Sequence, residues 1–183
     1  MEMIELRSDT CTLPTQEMRD AMAKAEVGND GFSEDPTVNA LEEKAAALLG
    51  KEASLFVASG TMGNLIANMS HGCEGNEVIM ESGNHALNNE FGGVSTIAHR
   101  IPRSMAGVDG ALSLSNIRSL MRTPGGAVET GLVWLENTHN NAGGICLAPQ
   151  YINDVCDLAH SKGVPVHMDG ARLFNAVIAT GVD

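Results

Sequence analysis

Aromatic residues are scarce in this sequence: four Phe, one Trp and one Tyr among 183 residues. Any core must therefore rest on Leu, Val, Ile, Ala and Met. Positive charge is scarce too. Eleven Lys and Arg stand against 23 Asp and Glu, a net charge of −12, which argues against nucleic acid or an anionic membrane as partner because phosphates would be repelled. A single phosphate held at one local site is compatible with that charge. The four cysteines, Cys11, Cys73, Cys146 and Cys156, show no CxxC or Cys/His ligand spacing, so neither a disulfide scaffold nor a zinc site is indicated. No stretch approaches the roughly 20 apolar residues of a membrane span. The acidic opening Met1-Glu2-Met3-Ile4-Glu5 lacks a basic region followed by an apolar run, and the expectation is a cytoplasmic protein.

What is present reads as globular: 43% hydrophobic and 19% charged residues. Pro14-Thr15 opens a helical pattern to about Glu26, with Met18, Met22 and Ala25 at helical spacing and Gly28 as its stop. Asp35-Pro36 opens a second helix, striped by Val38, Leu41, Ala45 and Leu48 and ended by Gly50. Beyond it, strands and helices alternate. Leu55–Ala58 is a short buried strand, followed by Ser59-Gly60-Thr61-Met62-Gly63-Asn64 and a helix to about Ser70. Val78–Met80, Val94–Ala98, Leu132–Leu135 and Val164–Met168 read as further strands. Ser113–Met121, Pro149–Lys162 and a last run to about Thr180 read as helices, and Thr123–Thr130 as a Pro/Gly-rich loop. The pattern predicts an α/β fold, a mostly parallel sheet with helices on both faces. Ligands of such sheets sit at the carboxyl ends of the strands. Four polar segments fall there: Ser59–Asn64, Ser82–His85, Glu136–Asn140 and Asp169–Arg172.

Each segment has an ordinary reading as well. Ser59–Asn64 opens a helix whose free N–H groups and dipole suit a phosphate, but it matches neither GxGxxG nor a P-loop and could be a plain tight turn. Asp169 could pair with a protonated ring nitrogen and Arg172 with an acidic group; a helix cap with a surface partner explains them equally. His85 could stack on a ring or move a proton. His71 and His160 read as surface residues, His99 and His167 as packed or hydrogen-bonded, and the methionines as core filler.

Taken in order, Leu6-Arg7-Ser8-Asp9-Thr10, Glu34-Asp35-Pro36-Thr37, Phe56 through Asn64, His85, Glu136-Asn137-Thr138-His139-Asn140 and His167-Met168-Asp169-Gly170-Ala171-Arg172 resemble the threonine aldolase family, within the fold-type-I pyridoxal-phosphate enzymes. The resemblance runs from residue 4 to the end. It implies that Gly60 and Thr61 bind the phosphate of pyridoxal 5′-phosphate, that His85 stacks on its ring, and that Asp169 pairs with the ring nitrogen. Arg172 and Ser8 would lie around the cofactor oxygen and the substrate carboxylate. The implied reaction is cleavage of a threonine-type β-hydroxy-α-amino acid to glycine and an aldehyde. The implied assembly is a homo-oligomer, dimer or tetramer, or a chain completed by a carboxyl-terminal partner.

The family pattern is departed from in three places. Phe32 stands where the family typically has Tyr, and the Thr123–Thr130 loop lacks a histidine that many members carry. The Schiff-base lysine is missing: Lys24, Lys44, Lys51 and Lys162 all occupy helical or helix-end positions. The resemblance thus implies an amino-terminal arm and an incomplete large domain over 1–183, ending before the last strands and without the small domain. The Leu55–Ala58 strand would then lack a neighbour. A non-catalytic remnant and a β-eliminating lyase acting on another amino acid are the competing readings.

Overall fold

The computed structural model describes residues 4–122 and 125–182; Thr123 and Pro124, which begin the expected Pro/Gly-rich loop, lie outside the described residues. The chain divides into two units, Met1–Phe56 and Val57–Asp183.

The first unit carries α1 (Gln16–Lys24) and α2 (Pro36–Leu48). Thr15 caps α1, accepting from the Met18 N–H at 3.3 Å. Asp35 caps α2: Oδ1 accepts from Thr37 and Val38 N–H at 3.0 and 2.9 Å, while Oδ2 takes the Gly28 N–H at 3.0 Å. These donors, Gly28 foremost, hold its carboxyl below the usual range. Gly28 is not the helix stop that the sequence suggests, since α1 ends four residues earlier. It is required by close approach, because a Cβ there would lie 2.1 Å from the Glu34 carbonyl oxygen. The expected methionine stripe of α1 stays out of any core: Met18 and Met22 are exposed, and α1 buries no residue.

The second unit holds one sheet of four strands, β1 (Glu77–Glu81), β2 (Ile101–Met105), β3 (Thr130–Glu136) and β4 (Val166–Asp169), all parallel, in the order β2-β1-β3-β4. The helices are α3 (Gly60–Ser70), α4 (His85–Asn88), α5 (Gly93–Thr96), α6 (Leu114–Leu120), α7 (Pro149–His160) and α8 (Leu173–Thr180). Strand alternation sorts the core into two layers. Ile79, Val133 and Leu135 pack with Ile117 and Leu120 of α6 and Val155, Leu158 and Ala159 of α7. Val78, Met80, Leu132 and Trp134 point the other way, toward Ala86 and Val94 of α4 and α5. The α/β class with both faces covered is therefore as the periodicity predicts.

Two strand assignments are corrected. Leu55–Ala58 forms no strand among the described residues, and Leu55 and Phe56 are exposed. Apolar composition suits a strand, but only ladder partners make one. Val94–Ala98 is not a strand either. Its first three residues belong to α5, which ends at Thr96, and Val94 and Ala98 are buried. The strand lies further on, at Ile101–Met105, where Pro102 hides it from a propensity reading; a proline is tolerated because β2 is an edge.

From β1 the chain runs outward to β2, then returns across to β3 and outward again to β4. The connections reverse direction between β1 and β3. In open parallel sheets that reversal opens a crevice at the carboxyl ends of the two strands, where ligands bind.

Candidate functional site

His85 follows β1, and Glu136 ends β3, so the two flank this crevice. The His85 N–H donates to Glu136 Oε2 at 2.7 Å, and Glu136 Oε1 accepts from the Asn140 N–H at 2.8 Å. Glu136, only 4% exposed, thus ties the His85 segment to the loop after β3. Beside it, Glu81 at the end of β1 accepts from the Gly107, Gly83 and Ser82 groups at 2.9, 2.5 and 3.0 Å. Burial pushes its carboxyl up, but the Gly107 and Gly83 N–H groups outweigh it and hold the group below its ordinary value. His139 is fully buried. Its Nδ1 accepts from the Ala142 N–H at 3.3 Å, which leaves the proton on Nε2, 3.2 Å from Glu81 Oε2 but not aligned as a hydrogen bond. Gly110, at φ +76°, lies where a Cβ would come within 2.5 Å of the His139 ring. His139 is therefore framework.

Asp169 ends β4. Its Oδ1 accepts from the Ala171 N–H at 3.1 Å and its Oδ2 from Asn64 Nδ2 at 2.9 Å. The same Asn64 nitrogen donates to Glu90 Oε1 at 2.8 Å, and His85 Nδ1 meets that oxygen at 2.9 Å. Behind Asn64, His167 Nε2 is 3.3 Å from Asn64 Oδ1, and the His167 ring packs 4.1 Å from that of Trp134. Burial pushes the His167 imidazole down from 6.5 to about 4, so it is neutral near pH 7. A neutral ring that meets an amide oxygen donates, so the His167 proton sits on Nε2.

Ligand-type atoms of His85, Glu90 and Asp169 lie within 4.8 Å of one another. A cation there would have to displace the Asn64 amide that already donates to both carboxylates, so the group is a hydrogen-bonded network.

Gly60 and Thr61 form the first turn of the 11-residue helix α3. Ser59 Oγ accepts from the Met62 N–H at 3.2 Å and the Ser59 carbonyl from Gly63 at 3.1 Å. The Gly60 and Thr61 N–H groups have no acceptor within the helix, and a Cβ at Gly60 would meet nothing within 4 Å. That is an open, positive helix end. At the far end, the buried Arg100 guanidinium donates to the Asn68 carbonyl at 2.9 and 2.8 Å and to the His71 carbonyl. Arg172 Nη1 reaches Asn140 Oδ1 at 3.1 Å. Ser8 belongs to the first unit, where its hydroxyl accepts from the Thr10 N–H at 3.2 Å.

The structure thus links Asp169 to His85 through Asn64 and Glu90, and Arg172 to the loop after β3 through Asn140. The sequence reading places Asn64 and Glu136 in polar segments at strand ends without giving either a role of its own, and it misses Glu90. For Asn64 a signal existed: buried asparagines at 64 and 68 occupy the α3 face that an apolar stripe would fill. Glu90 stands in an irregular Asn-Asn-Glu-Phe-Gly-Gly stretch with no periodicity to mark it. His167 is packed and hydrogen-bonded as expected, while His99 is exposed.

The profile of the beta-eliminating lyase family matches residues 5–183. Low-specificity L-threonine aldolase 1 of Arabidopsis thaliana is 48% identical over 188 residues, which span 100% of this chain and 52% of that protein. The low specificity L-threonine aldolase of Escherichia coli (strain K12) is 40% identical over 183 residues, 99% of this chain and 54% of that one. The chain spans about half the length of these curated relatives. In fold it is similar to the threonine aldolase of Leishmania major, with a TM-score of 0.73 at 23% identity over 88% of this chain and 46% of that chain. It is similar also to an aspartate aminotransferase of Thermus thermophilus, with a TM-score of 0.62 at 14% identity over 82% and 39%. No helix among the described residues is long and apolar enough to cross a membrane. The sheet, the polar network at its switch point and a family profile that covers residues 5–183 lead to one statement: the chain belongs to the beta-eliminating lyase family.

Proposed function

We propose that this chain forms the cofactor-holding half of a pyridoxal 5′-phosphate-dependent threonine aldolase, which cleaves β-hydroxy-α-amino acids to glycine and an aldehyde. One observation carries the proposal: a carboxylate at the end of β4 and an imidazole after β1 are joined through the Asn64 amide of α3 and the Glu90 carboxylate, and the amino end of α3 is open to an anion. The donor set fits the cofactor. The N–H groups of Gly60 and Thr61 would take its phosphate, and Asp169 offers a carboxylate for a ring nitrogen. His85, with 38% of its side chain exposed, offers a ring face. When bound, the cofactor supplies an electron sink for the bond that breaks.

The residues of this chain do the rest. The Asp169 carboxylate keeps a proton on the pyridine nitrogen by charge-assisted hydrogen bonding. The His85 ring would stack on the ring of the cofactor. The Arg172 guanidinium would pair with the cofactor oxygen or the substrate carboxylate. Lys162 offers no covalent anchor, because it lies between α7 and β4, at the amino end of the sheet. The reading includes a homo-oligomer or a completing carboxyl-terminal chain.

The test is to co-express the chain with the carboxyl-terminal half of a threonine aldolase relative and assay threonine. Glycine and acetaldehyde in equal amounts are expected. Ammonia and a 2-oxo acid would establish β-elimination in place of aldol cleavage. The 183-residue chain alone should bind pyridoxal 5′-phosphate reversibly, and borohydride should fix the cofactor to none of its lysines. A single borohydride-trapped lysine, mapped by mass spectrometry, would contradict this assignment.

A further inference from the structure

Asn64 is 7% exposed on an interior face of α3. Leucine would pack there at less cost, since asparagine is the poorer helix former and a buried amide must find all its partners. Asn64 finds them. Its Nδ2 gives one proton to Glu90 Oε1 and one to Asp169 Oδ2, at 2.8 and 2.9 Å, while its Oδ1 faces His167 Nε2 at 3.3 Å. The orientation is unambiguous, because a flipped amide would set an oxygen against two carboxylate oxygens. Glu90, 5% exposed, holds the other end. Its Oε1 also meets His85 Nδ1 at 2.9 Å, so that nitrogen carries the proton and a neutral His85 ring leaves Nε2 bare. The three ties of Asn64 go to residues remote in sequence, and α3 is seated independently through Arg100 on the Asn68 and His71 carbonyls.

We propose that Asn64 is a positioning residue: its carboxamide couples Asp169 to the Glu90–His85 pair, and Glu90 is the buried anchor that fixes the His85 imidazole. This rests on the functional reading only in taking Asp169 and His85 as the cofactor's contacts. The relative placement of the two groups then depends on one amide, through charge-assisted hydrogen bonds in a site of reduced dielectric.

The test reads imidazole tautomers by long-range 1H–15N correlation in the 183-residue chain at pH 9. In the native chain His85 is expected in the Nδ1–H form and His167 in the Nε2–H form. Asn64→Leu keeps the volume and removes the amide. It should leave the fold in place but let the His85 Nδ1 resonance move from the protonated toward the bare end of its range. Glu90→Leu should do the same, and Glu90→Gln, whose carbonyl still accepts, should restore the native tautomer. Should Asn64→Leu fail to fold, Asn64→Ser, which can serve only one of the carboxylates, reads the same coupling. An unchanged His85 tautomer in a folded Asn64 variant overturns the proposal. Pyridoxal 5′-phosphate is then titrated into each chain, and Asn64→Leu should bind it about tenfold more weakly, a loss of about 1.4 kcal/mol. If the native His85 signals ignore the cofactor while the tautomers still respond to Asn64, the functional reading fails and the coupling is upheld.

Discussion

Asp169→Asn, made in a chain completed by the carboxyl-terminal half of a relative, is expected to lower kcat for glycine release by about 100- to 1,000-fold, the range seen when a group placed at developing charge is removed. A neutral amide cannot hold the proton on a pyridine nitrogen, and that proton matters most as negative charge forms on the substrate carbon. The substitution also has a cost in stability that its small size conceals. Both Asp169 oxygens accept, Oδ1 from Ala171 N–H and Oδ2 from Asn64 Nδ2. An asparagine must turn its NH2 toward one of those donors, which should cost about 1–2 kcal/mol. Denaturant unfolding should therefore show a modest drop beside a severe kinetic one. His85→Ala should also slow turnover with a smaller loss of cofactor, and Thr61→Ala should chiefly weaken cofactor binding. Near-normal glycine release from threonine by Asp169→Asn would reduce Asp169 to a helix cap, and with it would fall the placement of the cofactor ring.

The α/β alternation was legible because β1 and β3 are buried on both faces, and runs such as Val78–Met80 and Leu132–Leu135 announce that. β2 was not legible. Pairing on one side only lets it carry Pro102, Arg103 and Ser104, so its sequence has the polarity of a loop. Leu55–Ala58 misled in the opposite sense, since its apolar residues promise a strand but pair with none among the described residues. The same asymmetry holds at the site. Asp169, His85 and Arg172 stand in ordered motifs at strand ends, whereas Asn64 and Glu90 acquire meaning only from each other. Their hydrogen bond joins residues 26 positions apart, and the bond from Asn64 to Asp169 joins residues 105 apart. No local pattern encodes a pairing at such separation. The chemistry was readable, and what holds it in place was not.

His167 gives this network a dependence on pH. Its ring sits beside Trp134, with Asn64 Oδ1 at its Nε2 and with Asp169 and His71 as the charged and titratable neighbours. Burial depresses its pKa, Asp169 partly opposes that and His71 reinforces it, and the result is about 4 against 6.5 for the free group. Between those values the unfolded chain binds a proton that the folded chain refuses. Stability therefore rises with pH across the window. The contribution is complete above about pH 6.5 and is lost as pH falls to about 4. Discounted for a ring that is only partly covered, it is worth about 2–3 kcal/mol at 1.36 kcal/mol per pKa unit. The carboxylates also titrate in this range, so the measurement is a difference: urea unfolding of the native chain and of His167→Gln at pH 7.5, 6, 5 and 4. The native curve should fall more steeply, and most of the gap should open between pH 6 and 4. Parallel curves would mean that the ring is solvated and accepts its proton freely.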